Sequence, residues 1–121
     1  RLSGSTVELM NMWKWMMFGQ NPFCMQDGQL GLRLEPALPV YLTKGVEAVE
    51  AVFLGQVQVR YILKGASEAV YMPGQYQVGQ IRLLYGDGRI VCCEEMVVGS
   101  EASDIRDGLV KRIEAELLNN R

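Results

Sequence analysis

The sequence contains no histidine. That absence removes the side chain that most often serves as a general base near neutral pH and most often ligates transition metals. The common hydrolase constellations are therefore excluded, and no cofactor or metal is expected. Cysteine is scarce and odd in number, at Cys24, Cys92 and Cys93. One adjacent pair and one distant residue make a poor disulfide framework, and no Cys-x-x-Cys spacing points to zinc; a reducing, cytoplasmic setting is expected. Basic runs are missing too: Lys+Arg 12 against Asp+Glu 14 leaves a formal charge of -2. Nothing here could neutralise a row of phosphates, so nucleic acid is not an expected partner. The most apolar stretch, from Leu9 to Phe18, is interrupted by Asn11 and Lys14 and falls short of the roughly 20 residues that a bilayer demands. No membrane partner is expected.

What is present is 121 residues with 49% hydrophobic content, which suits one domain with a modest core. Ser5 followed by Glu8 is a capping box, in which the hydroxyl and the carboxylate satisfy each other's backbone donors. It predicts a helix through Thr6 to Phe18, stopped by Gly19 with Pro22 beyond. Apolar residues cover nearly its whole circumference and leave Glu8, Asn11 and Lys14 as one narrow polar line. A helix apolar on so many sides must be enclosed, whereas the strands that follow can shelter only one side of it. Its other neighbours are expected to lie outside this sequence. The opening Arg1-Leu2-Ser3-Gly4 has neither an initiator Met nor a signal pattern, and it reads as the start of a piece of a longer chain.

Beyond Pro22 the hydrophobic period changes to alternation and turn signals recur at short intervals, the pattern of an antiparallel sandwich or barrel. Asp27-Gly28 predicts a hairpin because both positions tolerate positive φ. Pro36 and Pro39 make the segment Glu35 to Pro39 an extended edge or crossover. Strands are predicted at 46–54 and 56–63, either side of Gly55, and again at 69–72, 77–85 and 89–93, with 95–98 continuing past a bulge. The end of the chain obeys both a helical and an alternating period. Gly108 divides it into a short helix over 101–107 and a strand over 109–118.

The chemistry-bearing residues have plain structural readings that outweigh the functional ones. Trp13, Trp15 and their methionines suit core packing better than a ligand box. Asp27 and Asp87 precede glycines in turns, and Asp104 and Asp107 lie on a polar helix, so they do not read as a glycosidase carboxylate pair. Cys92-Cys93 reads as a buried or edge thiol pair rather than a nucleophile. Tyr41, Tyr61, Tyr71, Tyr76 and Tyr85 could form a sugar-stacking platform, but tyrosines scattered along strands more often plug the core and its rims.

The run Arg1-Leu2-Ser3-Gly4-Ser5-Thr6-Val7-Glu8, then Trp13 and Gly19-Gln20-Asn21-Pro22-Phe23, resembles the C-terminal region of cellobiose-phosphorylase-like glycoside phosphorylases. Asp27-Gly28-Gln29-Leu30, Leu34-Glu35-Pro36-Ala37-Leu38-Pro39, Val52-Phe53-Leu54-Gly55, Ile105-Arg106-Asp107-Gly108 and Val110-Lys111-Arg112-Ile113-Glu114 continue the resemblance in the same order. Order and spacing carry it, not any single motif. It implies a mainly β fold: an antiparallel two-sheet β-sandwich of jelly-roll type, preceded by one buried α-helix and with a short helix near the C-terminus. Residues 1–22 would then be the terminal helix of a preceding (α/α)6 barrel, and 23–121 the C-terminal β domain. The implied parent is an inverting phosphorylase. In it an aspartic acid of the barrel protonates the glycosidic oxygen of a β-glucoside while inorganic phosphate attacks the anomeric carbon, and a sugar 1-phosphate is released.

That acid lies upstream, so no catalytic residue is expected in this chain. Its expected partners are the upstream barrel of the same parent, with phosphate and oligosaccharide for the parent and a homodimeric parent among the implied assemblies. The family holds phosphate partly through a Thr-Gly pair before a late barrel helix, and Ser3-Gly4 stands at the matching place with Ser for Thr. A helix N-terminus with unpaired N–H groups suits an anion, although a plain helix cap accounts equally well for these residues. The alternative reading is a carbohydrate-binding β-sandwich with no catalytic coupling.

Overall fold

The computed structural model describes residues 4–119, with side chains described from residue 11 onward. The fold is mainly β, with two sheets and three helices. Helix α1 (Gly4–Phe18) leads into the hairpin β1 (Phe23–Gln26) and β2 (Gln29–Leu32), followed by a single helical turn, α2 (Val40–Thr43). Then come β3 (Ala48–Phe53), β4 (Val57–Gly65), β5 (Gln77–Tyr85), β6 (Ile90–Glu94), β7 (Val97–Val98), α3 (Ser100–Arg106) and β8 (Val110–Asn119). One sheet has the order β1-β2-β7, the other β3-β4-β8-β5-β6.

The hairpin forms where Asp27 and Gly28 place it, both with positive φ, at 51° and 80°. The division near the C-terminus is also found, with α3 ending before Gly108, whose φ is 83°. Two expectations need correction. The large sheet is mixed rather than antiparallel: β8 runs antiparallel to β5 but parallel to β4, from Gln58↔Arg112 to Gly65↔Asn119. A parallel neighbour needs a long crossover, here the whole excursion through β5, β6, β7 and α3. The strand expected at 69–72 reduces to the isolated bridge Leu38↔Tyr71.

The core lies on one face of the large sheet. Val57, Val59 and Tyr61 of β4, Ile81 and Leu83 of β5, and Ile113, Ala115 and Leu117 of β8 are fully buried there. Leu32 of β2, Val97 of β7, and Ala102 and Ile105 of α3 complete the cluster, with Met17 and Phe18 from the last turn of α1. The ring of Phe18 lies 4.8 Å from that of Phe53, on which Phe23 stacks at 5.8 Å. The opposite face carries a ladder of alternating charge in register across four strands, Glu50↔Arg60↔Glu114↔Arg82. Arg112 reaches Glu50 at 3.3 Å and Glu114 at 3.4 Å, the latter without hydrogen-bond geometry at Nε.

Candidate functional site

The C-terminal turn of α1 is built into the β unit by a complete set of carbonyl partners. The last four carbonyls of a helix have no partner within it. In α1 the carbonyl of Trp15 accepts from the N–H of Gly19 at 2.9 Å, that of Met16 from Ala37 at 2.7 Å, and that of Phe18 from Glu35 at 3.3 Å. The carbonyl of Met17 accepts from the buried hydroxyl of Tyr61 at 2.6 Å. Gly19, with φ at 88°, supplies the left-handed turn that ends the helix.

From that anchored end the helix projects outward, which corrects the expectation of a buried helix: within this chain Met17 and Phe18 are buried, but every residue from Asn11 to Trp15 is exposed. Met12 is 59% exposed, Trp13 45% and Trp15 48%. Positions 13 and 15 are about 200° apart around a helix, so the two indoles point to nearly opposite sides. Within the expected phosphate site Gly4 opens α1, and Ser3 lies outside the described residues.

Between the end of α1, the extended segment after β2 and the loop before β5 runs an open groove. Its two adjoining concavities, each about 390 Å³, share Arg33, Glu35 and Pro73. Trp15 and Asn21 line one end, Tyr76 and Gln77 the other. Sequence reasoning missed this groove, because its residues lie far apart in the chain and no local pattern joins them. The Tyr76 hydroxyl donates to the carbonyl of Pro36 at 2.6 Å. Burial and then the nearby Glu35 carboxylate push its pKa far up, so it is a wall rather than a proton donor. The groove pairs no nucleophile with a base, and its arginine, carboxylate and amides suit hydrogen bonding to a polar ligand more than bond cleavage.

The other residues weighed from the sequence fall into structural places. Tyr61, Tyr71 and Tyr85 are buried, Tyr76 is half-buried and Tyr41 is exposed at 76%, so the tyrosines form no common platform. Asp27 sits in the hairpin turn, Asp87 accepts from the backbone N–H of Arg89 at 2.9 Å, and Asp107 pairs with Arg106 at 3.2 Å. Asp104 accepts from the Tyr85 hydroxyl at 2.6 Å; with burial as the larger cause, this pushes Tyr85 up to about 12. Cys93 is half-buried, and burial followed by the Glu101 charge raises its pKa, which opposes thiolate chemistry, while Cys92 is exposed. Among the described residues no cluster of three or more His, Cys, Asp or Glu could hold a metal ion, and no helix is long and apolar enough to cross a membrane. Comparison with known proteins returns no matching family model, curated protein or solved structure.

Proposed function

We propose that this chain is the non-catalytic C-terminal unit of a cellobiose-phosphorylase-like glycoside phosphorylase, in which α1 is the last helix of the catalytic barrel and the strands form a jelly-roll-like sandwich that braces it. The observation that carries the reading is α1 itself. Its C-terminal turn is satisfied group by group by the β unit, while Met12, Trp13 and Trp15 present apolar surface in widely separated directions. A flat partner covers one face of a helix; only neighbours on several sides, as in a ring of packed helices, cover all three. The ordered resemblance along the chain supplies the identity of those neighbours. In this reading the parent phosphorolyses a β-glucoside in the cytoplasm, and Ser3 and Gly4 help to hold phosphate at the start of the helix.

The test is to express the full reading frame and follow release of sugar 1-phosphate from β-glucosides in the presence of inorganic phosphate. Activity is expected, together with its loss when Met12 and Trp13 are both replaced by glutamate. A full-length product that lacks phosphorolysis, or one in which α1 stays open to solvent, would overturn the proposal. A second reading, an independent oligosaccharide-binding module, is favoured by Trp15 standing over the groove beside Arg33 and Glu35, since an indole with planar hydrogen-bonding groups is sugar-binding chemistry. Saturable binding of β-glucan oligosaccharides to this chain, abolished by Trp15→Ala, would select it over the brace.

A further inference from the structure

The strand β6 is the free edge of the large sheet. Its hydrogen-bond phase is fixed at both ends: Tyr85 donates to the carbonyl of Arg89 at 2.9 Å, and Glu95 donates to that of Gly79 at 3.1 Å. In an antiparallel ladder such pairs alternate with non-bonded ones, so Arg89, Val91, Cys93 and Glu95 turn their backbone groups towards β5. Ile90, Cys92 and Glu94 turn theirs outward. The edge has no proline or lysine to block pairing, and its exposed side chains include Ile90, at 51%, and Cys92.

We propose that β6 pairs antiparallel with β6 of a second copy of this chain, with the two-fold axis at Cys92. The charges select that partner and that register. Pairing about Cys92 sets Arg89 opposite Glu95 of the other copy, twice per dimer. Pairing about Val91 would set Asp87 against Glu95, a repulsive contact, and pairing about Cys93 would leave both charges without a partner. Within the chain, and among the described residues, neither Arg89 nor Glu95 makes an ion pair; the Arg89 guanidinium lies 4.1 Å from the Tyr85 ring centroid. The outward groups of Cys92 meet their own symmetry mates, and those of Ile90 meet those of Glu94, so the large sheet continues through the dyad. An interface of five residues a side is small, so the dimer is weak and depends on concentration.

Sedimentation over a concentration series tests this, with three variants. Arg89→Glu and Glu95→Arg should each raise the dimer dissociation constant about tenfold, because each replaces two attractive cross-strand pairs with repulsive ones. The double variant Arg89→Glu/Glu95→Arg should restore it. Independently, a Cys24→Ser/Cys93→Ser background leaves Cys92 as the single thiol. Hydrogen-bonded antiparallel pairs place Cα atoms about 5.5 Å apart, within disulfide reach. Diamide should therefore take one hydrogen from each of two Cys92 thiols and leave a disulfide-linked dimer with the reduced hydrazine. A chain that is monomeric throughout the series, or a dimer indifferent to both charge reversals and not cross-linked through Cys92, would overturn the proposal; the second result would place association on another surface such as α1.

Discussion

Replacing Tyr61 with phenylalanine removes one oxygen from the centre of the molecule and leaves the ring that fills the space around it. Tyr61 is fully buried, and its hydroxyl donates to the carbonyl of Met17, a residue that is itself fully buried. In the variant that carbonyl belongs to a helix end with no other donor in reach and no path to water. The cost of leaving a buried acceptor unsatisfied is about 1–3 kcal/mol, and no cavity term of note is added because the ring remains. For a domain of this length that corresponds to a melting temperature lower by about 4–12 °C. Urea denaturation should give a lower midpoint with an unchanged slope, and near-ultraviolet circular dichroism should show the environments of Trp13 and Trp15 loosening as the last turn of α1 frays. A change below about 0.5 kcal/mol, the range of surface substitutions, would mean that the carbonyl recruits water. The tethering of α1 by the β unit would then be weaker than its geometry implies.

Gly65→Ala tests the crossing of β4, β8 and the Tyr71 loop. A Cβ there would stand 2.6 Å from the Tyr71 hydroxyl, 2.8 Å from the Ala69 Cβ and 3.1 Å from the Asn119 carbonyl, and overpacking of this kind costs about 1–3 kcal/mol, read as a lower urea midpoint. Stability against alkali follows from Tyr85. Its folded pKa of about 12 lies above the free value of 10.0, so the folded state holds the proton longer; the stabilisation is complete below about pH 10 and is lost as pH rises towards 12. Asp104→Asn should shrink that alkaline loss without abolishing it, because burial, the larger cause of the shift, remains. Equal stability of the parent chain at both ends of that pH window would refute the assignment.

Local chemistry was legible in the sequence; the meeting of distant segments was not. Asp27-Gly28 specifies its hairpin because both residues accept left-handed backbone, and Gly108 divides the ambiguous tail for the same reason. Leu54 also takes a positive φ, 56°, at the β3–β4 turn, a role that a leucine does not announce. Alternation along β8 identified its buried face but carries no information on strand direction, which is why its parallel pairing with β4 could not be read in advance. The residues 69–72 have strand-like composition, yet the loop offers Tyr71 a single bridge and then the core. The groove was invisible because Trp15, Arg33 and Tyr76 come together through the packing of three separate segments. Asp104, which looked like a solvated helix residue, gained its partner from a strand 19 positions away.

The two broad surfaces of the molecule have opposite chemistry, and the contrast bears on which of them meets a large partner. The outer face of the large sheet satisfies its own charges: Glu50 with Arg60 at 3.1 Å, Glu114 with Arg82 at 3.5 Å, and Arg112 between the two carboxylates. Pairs of this exposure contribute about 0–1 kcal/mol each, so the ladder adds little stability. Covering it would instead desolvate several charges at once, at a cost that a protein interface recovers only with strict geometric complementarity. Helix α1 reverses each term. Its carbonyl end is already satisfied, and its exposed side chains include two indoles and a thioether, whose burial is worth about 25 cal/mol per Å² of apolar surface removed from water. Aromatic side chains and methionine are the residues enriched where protein surfaces meet. A partner that encloses α1 gains from every direction it covers, whereas one laid on the ladder must first strip water from charges that already have partners.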